Sequence, residues 1–131
     1  MNEIVDFETI DRYKEMAQLF KALAHPARLA ILAALRDGEH CVCHLEAQLG
    51  LRQAYISQQL MVLRDAGLLQ DRREGWNIFY RVARPEIFAA MAALGALPEL
   101  PQSACACPHC AQRKQADRSE EHTSELQSPN T

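Results

Sequence analysis

Four breaks that contain glycine divide the middle of this chain into segments of different hydrophobic periodicity. The positions of these breaks constrain the possible folds more strongly than any other sequence feature. Apolar residues recur at helical spacing before and between the breaks at Gly38, Gly50 and Gly67, which predicts amphipathic helices. After a polar turn at Gly75, aromatic and β-branched residues are concentrated over 76–82, which predicts the second strand of a β-hairpin. The predicted order is therefore four helices, a hairpin and a last helix.

The order of these elements indicates a fold class. The helices are expected at about 6–23, 26–36, 41–49, 52–66 and 84–97, and the hairpin at 68–82. Pro26 and Pro85 are read as helix starts because proline suits the first turn of a helix. A short helix, a tight turn with glycine, a second helix and a two-stranded wing are the parts of a winged helix-turn-helix, mainly α with a β-hairpin wing (α-α-α-α-β-β-α). In that fold the helix at 52–66 lies in the DNA major groove.

Composition excludes several other classes. The chain has 131 residues, of which 48% are hydrophobic and 6% aromatic, so one small domain with a mostly aliphatic, helical core is expected. No apolar run reaches the ~18 residues of a membrane helix, and the acidic start does not resemble a secretory signal. We therefore expect a cytoplasmic protein without membrane contact. No phosphate loop, nucleophile motif or HExxH is present, so no enzymatic activity is expected.

The chain is expected to divide into three regions. Residues 1–100 form the winged helix-turn-helix domain, 101–117 a cysteine-rich segment and 118–131 a disordered tail. The tail looks like translated sequencing-adapter sequence, so it carries no functional argument. Residues 117–131 also carry the net charge of −3, which leaves the rest of the chain neutral. Global charge therefore neither predicts nor excludes nucleic-acid binding.

Polar side chains on the recognition helix and the wing are the candidates for DNA contact. On the helix, Ile56, Leu60 and Leu63 should face the core. Glutamine suits adenine edges, serine and tyrosine reach phosphates or base edges, and wing arginines suit phosphates or the minor groove. The candidates are Arg52, Gln53, Tyr55, Ser57, Gln58, Gln59, Arg72 and Arg73. The competing interpretation is an ordinary solvated face.

Two further residues near this surface are expected to be structural. Trp76 is expected in the core of the wing, and His25 is expected to cap the helix that begins at Pro26. Residues 52–81 carry five arginines and three acids, a local charge of +2. DNA binding should therefore weaken as salt concentration rises.

Five cysteines lie in two clusters, and an odd number in a chain without an export signal argues against a disulfide framework. Thiolates select soft ions such as As(III), Cd(II), Pb(II) and Zn(II). Cys41 and Cys43 stand at a predicted helix start, where positions two apart differ by about 200° in direction. We expect them to share an ion only if that first turn is frayed or rebuilt. Capture of the ion would then distort the helix before the recognition helix.

Several motifs together carry a family resemblance. The stretch ALAHPARLAIL (22–32), CVC (41–43), the serine-centred recognition helix and REGW with YR in the wing follow in order. Over about 10–97 the chain resembles the ArsR/SmtB family of bacterial metal-sensing repressors. The resemblance implies a homodimer that binds an inverted-repeat DNA operator when metal-free and leaves it when an inducing ion binds. In that family CVC is the segment that senses arsenic, cadmium and lead, so As(III) is favoured, with Cd(II) and Pb(II) next and Zn(II) possible.

The ligand set departs from the family pattern, which completes the site with a nearby cysteine or with cysteines of the N-terminal arm. The first forty residues of this chain contain no cysteine. The cysteines at 105–110 could join Cys41 and Cys43, from the same or the partner subunit, hold a separate ion such as Zn(II) with His109, or be redox-active or incidental. His44 is either a further ligand or solvent-facing. The metal candidates are Cys41, Cys43, Cys105, Cys107 and Cys110, with His44 and His109 weaker.

The predicted last helix is poor in ligands for a hard ion. It has no histidine and only Glu86 and Glu99, so the oxygen and nitrogen zinc site that some family members build there is not expected. Its alanine-rich face, with Ala89, Ala90 and Ala93, suits close packing. That face would form a dimer interface with the first helix, or else join the core of its own subunit.

Two rival functions remain open at this point. In one, the same repressor fold responds to oxidation or persulfides through its cysteines. In the other, from a different class, the chain is a thiol oxidoreductase or a metal carrier. Redox enzymes place Cys-x-x-Cys near a βαβ unit, which this pattern lacks.

Overall fold

The computed structural model describes residues 4–102 together with 105, 107, 108 and 110. In this part of the chain there are five helices and a small three-stranded antiparallel sheet. The elements are α1 (Phe7–Leu23), α2 (Pro26–Ala34), β1 (His40–Cys41), α3 (Val42–Leu49), α4 (Gln53–Asp65), β2 (Leu69–Glu74), β3 (Asn77–Val82) and α5 (Glu86–Ala93). The strand order in the sheet is β1-β3-β2. The predicted winged helix-turn-helix class is confirmed. The tail at 118–131 and His109 lie outside the described residues.

Side chains just before the first two helices fix where those helices begin. The Asp6 carboxylate accepts a hydrogen bond from the backbone N–H of Thr9 at 2.8 Å, which caps α1. His25 Nδ1 accepts from the N–H of Ala27 at 3.2 Å, and Pro26 follows as the first residue of α2. The capping role expected of His25 is confirmed.

Helices α3 and α4 form the helix-turn-helix on a shared core. Gly50 ends α3 in the left-handed conformation (φ 67°, ψ 23°), which turns the chain sharply towards α4 without the cost that a Cβ would bring. Ile56, Leu60 and Leu63 of α4 are fully buried together with Leu45 of α3. The predicted apolar stripe of the recognition helix is confirmed, so the opposite face of α4 is turned away from the core.

The wing is a hairpin with a two-residue loop. Glu74 pairs with Asn77, which leaves Gly75 and Trp76 between the strands. Gly75 has φ 60° and Trp76 does not have a positive φ, as in the turn type that takes glycine at its first central position. Trp76 is fully exposed at the tip. Its expected place in the wing core is wrong, because a residue of the loop projects beyond the sheet.

Two element boundaries differ from the prediction. Strand β1 was not expected, and it takes Cys41 out of the predicted third helix. Helix α5 ends at Ala93 rather than near Leu97, because Gly95 has a positive φ of 152°, which a right-handed helix does not contain. In the described residues no helix combines the length and the apolar character needed to cross a membrane.

Candidate sulfur site and nucleic-acid interface

Cys41 and Cys43 meet at the junction of β1 and α3. Cys41 is the residue before α3, has extended backbone angles (φ −84°, ψ 167°) and pairs with Phe79 of β3. Cys43 lies in the first turn of the helix. Because Cys41 is not helical, the 200° separation does not apply, and the two Sγ atoms are 2.7 Å apart. The condition that the predicted first turn be frayed is therefore met, because Cys41 lies outside the helix.

The C-terminal cysteines lie next to Cys41 and Cys43. The Sγ atom of Cys41 is 3.8 Å from that of Cys107 and 3.8 Å from that of Cys110. All five Sγ atoms, including that of Cys105, lie within 4.8 Å of one another. We call these five residues the sulfur cluster. The two groups of cysteines thus converge within one subunit, and their sharing of one ion stays a prediction.

The sulfur cluster is largely enclosed. Cys41, Cys105 and Cys110 are buried and pack with Phe79 into a small apolar cluster beside the main core. Cys43 and Cys107 are half-buried at its border. None of these five thiols belongs to a disulfide, and the 2.7 Å between Cys41 and Cys43 is well above the ~2.05 Å of an S–S bond.

The spacing of the sulfur atoms fits a soft ion. A tetrahedral site with metal–sulfur bonds of ~2.3 Å has edges of about 3.8 Å. The distances from Cys41 to Cys107 and Cys110 match that edge, whereas the distance to Cys43 is shorter. Thiolate sulfur is also the ligand type that soft ions select. The donor set and its geometry are therefore compatible with three- or four-sulfur coordination, while the role of each cysteine as a ligand stays a prediction.

The thiols of the cluster differ in acidity. Burial is the largest cause that raises the pKa values of Cys43 and Cys110, and hydrogen bonds with neighbouring thiols add to it. Burial also acts against ionisation of Cys107. There it is outweighed by the backbone N–H of Cys110, which donates to the Cys107 Sγ atom at 3.4 Å, and by the surrounding thiols. The pKa of Cys107 is lowered to about 6, so this thiol is largely ionised at neutral pH.

Two histidines border the cluster. The rings of His40 and His44 stack with centroids 3.7 Å apart and an angle of 1° between their planes. His44 Nδ1 is 3.9 Å from the Cys110 Sγ atom, and His40 Nε2 is 2.9 Å from Asp37 Oδ1. His44 therefore lies beside the cysteines, and its role as a ligand stays a prediction. The position of His40 was not anticipated from the sequence.

The recognition helix presents most of the predicted polar residues to solvent. Arg52, Gln53, Ser57 and Gln58 are exposed. Arg52 precedes α4 and its side chain does not cap the helix, which leaves the first N–H groups of α4 to other acceptors. Tyr55 is half-buried. Its Oη accepts from His25 Nε2 at 3.4 Å, since His25 Nδ1 is already an acceptor.

Gln59 is a correction to the predicted contact surface. It is buried, and its Oε1 atom accepts from Arg28 Nε at 2.7 Å. Arg28 also donates to the carbonyl oxygens of Lys21 and Ala22 at the end of α1. Gln59 lies three positions after Ile56 and four before Leu63, so it shares their buried face and contacts α2 instead of solvent. Gln59 thus ties α4 to α1 and α2 rather than lying on the open face.

The two wing arginines differ in what they contact. Arg73 is exposed. Arg72 donates from Nη2 to Glu39 Oε1 at 2.6 Å and from Nη1 to Glu74 Oε2 at 2.8 Å, and its guanidinium lies 4.8 Å from the Phe79 ring centre. The Glu39 carboxylate, and then that of Glu74, raise the pKa of Arg72. The charge of Arg72 is compensated within the protein although its side chain is 49% exposed, and its contact with phosphates stays a prediction.

Glu39 and Phe79 were not predicted as site residues. No sequence pattern distinguishes either of them as a site residue. Phe79 fits the pattern of an ordinary strand residue, and Glu39 precedes a strand of only two residues. Pairing the hairpin in register would have placed Phe79 opposite Arg72, but its contact with the sulfur cluster depends on β1.

Helices α1 and α5 leave apolar side chains uncovered. On α1, Tyr13, Met16 and Phe20 are 51–62% exposed. On α5, Ala89, Ala90 and Ala93 are also exposed, so within this subunit they do not belong to the core. A shallow groove of about 180 Å³ runs between the two helices and is lined by Met16, Leu19, Phe20, Leu23, Leu68, Arg84, Glu86, Ile87 and Ala90.

The helix-turn-helix, the exposed face of α4 and the wing define a DNA-binding transcriptional regulator rather than an enzyme. The family model of bacterial regulatory proteins of the arsR family matches residues 25–71. The biofilm growth-associated repressor of Agrobacterium fabrum is 49% identical over 86 residues, which cover 66% of this chain and 74% of that protein. This chain belongs to the ArsR family of transcriptional repressors.

Two further relatives extend the comparison. The arsenic resistance transcriptional regulator ArsR1 of Pseudomonas putida is 48% identical over 71 residues, which cover 53% of this chain and 54% of that protein. The homodimeric winged helix-turn-helix DNA-binding domain of a possible ArsR-family regulator from Mycobacterium bovis superposes with a TM-score of 0.63 at 31% identity. That match covers 72% of this chain and 89% of the other.

Proposed function

We propose that this chain is a homodimeric repressor that releases its operator DNA when a soft ion binds the sulfur cluster. The observation that carries the proposal is the convergence of five Sγ atoms within 4.8 Å at the start of α3, the first helix of the helix-turn-helix. As(III) is the favoured ion, with Cd(II) and Pb(II) next and Zn(II) as a further candidate, because thiolate donors select ions of this type.

The DNA side of the proposal rests on exposed polar groups of α4 and the wing. Gln53, Ser57 and Gln58 would face base edges in the major groove, where glutamine pairs with adenine. The uncapped N-terminus of α4 suits a phosphate. Arg73 and Trp76 at the wing would contact the backbone or the adjacent minor groove.

A homodimer accounts for the uncovered faces of α1 and α5. Two copies related by a twofold axis would bury Met16, Phe20 and the alanines of α5 and present two recognition helices to an inverted repeat. The homodimeric relative from Mycobacterium bovis supports this assembly.

Coordination of an ion would link two parts of the chain. Cys41 and Cys43 belong to the β1–α3 junction, whereas Cys105, Cys107 and Cys110 belong to the C-terminal segment. Three sulfur ligands suit As(III) or Pb(II), and four suit Cd(II) or Zn(II). By sharing an ion, these cysteines would tie the start of the helix-turn-helix to the C-terminal segment, and the two recognition helices would be presented differently.

The test is a fluorescence-anisotropy titration of an inverted-repeat duplex selected from a random library by the ion-free protein. Added As(III) should weaken binding tenfold or more, the usual size of allosteric coupling. Cys41→Ser/Cys43→Ser should bind DNA and ignore the ion. Parallel titrations with Cd(II), Pb(II) and Zn(II) show which ion is the strongest inducer. An operator complex that survives saturating amounts of all four ions contradicts the proposal.

A second candidate signal is oxidation of the same thiols. The Cys107 thiolate lies 3.8 Å from the Cys41 sulfur, and its pKa is lowered to about 6. With hydrogen peroxide as the oxidant, Cys107 would attack the O–O bond to give a sulfenic acid and hydroxide. The Cys41 thiol would then form the disulfide with loss of water. A complex that is released by peroxide, restored by a phosphine reductant and unaffected by metals would favour this candidate.

A further inference from the structure

Three residues form a row across the sheet from the sulfur cluster to the wing. Cys41 of β1 pairs with Phe79 of β3, and Phe79 pairs on its other side with Arg72 of β2. Directly opposed residues of antiparallel strands point to the same face of a sheet. The row therefore connects a candidate ion ligand to a residue of the wing through a single aromatic side chain.

Phe79 contacts both ends of this row. Its side chain is 2% exposed and packs with Cys41, Cys105 and Cys110. The Arg72 guanidinium stands 4.8 Å from the ring centre, within the range of a cation–π contact. Because buried side chains are closely packed, the ring cannot change its position against the sulfur atoms without changing its contact with Arg72.

Arg72 also holds the backbone segment that leads into Cys41. Its Nε atom lies 3.2 Å from both carboxylate oxygens of Glu39, and its Nη2 donates to Oε1 at 2.6 Å. Glu39 immediately precedes β1. Arg72 therefore contacts the β1 segment through Glu39 and the sulfur cluster through Phe79. The bond to Glu74, in contrast, stays within β2.

We propose that Arg72 is a positioning residue that couples the sulfur cluster to the wing. A change at Cys41 shifts β1 and the Phe79 ring, and Arg72 transmits that shift to β2 and so to Arg73 and Trp76 at the end of the wing. Arg72 thus controls the position of the wing against DNA, rather than contacting a DNA phosphate itself. This inference rests on the proposed function, since it describes how release by an ion reaches the wing.

The two carboxylates on one guanidinium provide a matched pair of variants. Glu39→Gln weakens the link between Arg72 and the β1 segment. Glu74→Gln removes the same charge from the same arginine but leaves that link in place. For both, operator affinity is measured with and without As(III), and the ratio of the two is the coupling. The ratio cancels any general gain in DNA affinity that comes from losing an acid.

We expect the affinity of Glu39→Gln for As(III), measured by the thiolate absorbance, to stay within twofold of the wild type. Its coupling should fall at least fivefold. Glu74→Gln should keep its coupling within twofold. Equal coupling in the two variants, with a responsive wild type, overturns the role of Arg72 and leaves the proposed function intact. A wild type whose operator affinity ignores As(III) overturns both.

Amide hydrogen exchange without DNA gives an independent measurement. As(III) should change the protection of β2 and β3 in the wild type and in Glu74→Gln, and leave the wing of Glu39→Gln unchanged. If As(III) alters wing protection equally in all three proteins, the coupling does not pass through Arg72. Retained binding of As(III) by each variant shows that it is folded around the cysteines.

Discussion

At the scale of single residues, neighbouring side chains on α4 have opposite roles. Gln58 is exposed, whereas Gln59 is buried and bonded to Arg28, which also holds the end of α1. One step along a helix turns a side chain by about 100°, which is enough to move it from the solvent face to the core. Of these two adjacent glutamines, Gln58 is thus a candidate for base contact, whereas Gln59 holds α4 to Arg28.

Replacing each glutamine by leucine should separate these roles. Gln59→Leu removes the acceptor of the Nε–H of the half-buried Arg28, whose Nη1 still reaches the carbonyl oxygens of Lys21 and Ala22. It should lower the free energy of unfolding by about 1–3 kcal/mol. Gln58→Leu, its matched control, should change stability by less than about 0.5 kcal/mol and weaken operator binding. Urea unfolding at one fixed protein concentration measures the first effect and anisotropy the second. Equal loss of stability in both variants would contradict this assignment.

Trp76 is the chain's single tryptophan and stands exposed on the wing. Its fluorescence therefore reports on the wing without labelling. Iodide should quench the free protein efficiently and the operator complex much less, because DNA would cover the indole. The same complex dissociated by high salt is the control. Unchanged quenching in the complex would mean that the wing tip does not touch DNA.

Cys107 should be the thiol that reacts first with iodoacetamide. Its folded pKa of about 6 keeps it ionised at pH 7, and its reaction should slow as the pH falls through 6. Cys43 and Cys110, whose pKa values are raised, should react last. Peptide mass spectrometry after short labelling gives the order. Equal rates for all five cysteines in the folded protein would contradict this ranking.

At the scale of elements, the shortest strand has the largest consequence for the candidate site. Strand β1 spans only His40–Cys41, yet it takes Cys41 out of α3 and sets it against Phe79. Two residues contain no measurable period, so a sequence pattern cannot reveal such a strand. The amphipathic helices and the hairpin were predictable because each repeats its pattern over several residues.

Removing the C-terminal cysteines tests whether they belong to the same site as Cys41. A chain that ends before Cys105 loses three of the five sulfur donors and should bind As(III) at least a hundredfold more weakly. A chain that ends at residue 117 keeps all five cysteines and should match the full-length protein. Competition titration with a dithiol chelator measures both. Equal affinity of the two truncated chains would restrict the ion site to Cys41 and Cys43.

At the scale of the whole molecule, the uncovered apolar faces of α1 and α5 are the surfaces that the proposed homodimer would cover. The side chains of Met16 and Phe20 on α1 and of Leu94 after α5 are more than half exposed. Burial of apolar surface of this kind contributes roughly 25 cal/mol per Å². In the proposed homodimer, a second copy would cover this surface and supply the second recognition helix.

Phe20→Asp should convert the dimer into a monomer in analytical ultracentrifugation and weaken operator binding by at least tenfold, since a charge cannot be buried unpaired in the interface. Ile4→Asp is the matched control: Ile4 is 92% exposed and precedes α1. It should leave both properties unchanged. A Phe20→Asp protein that remains dimeric would place the interface elsewhere.

The sequence by itself determined the winged helix-turn-helix, the buried stripe of α4, the cap at His25 and the two groups of cysteines. Each depends on local spacing and local chemistry. Only the tertiary structure decided that all five sulfur atoms converge, that Gln59 is buried and that Arg72 is held by Glu39. Those outcomes depend on contacts between residues more than thirty positions apart, such as Cys41 with Cys110 and Arg28 with Gln59, and no periodic pattern encodes such distances.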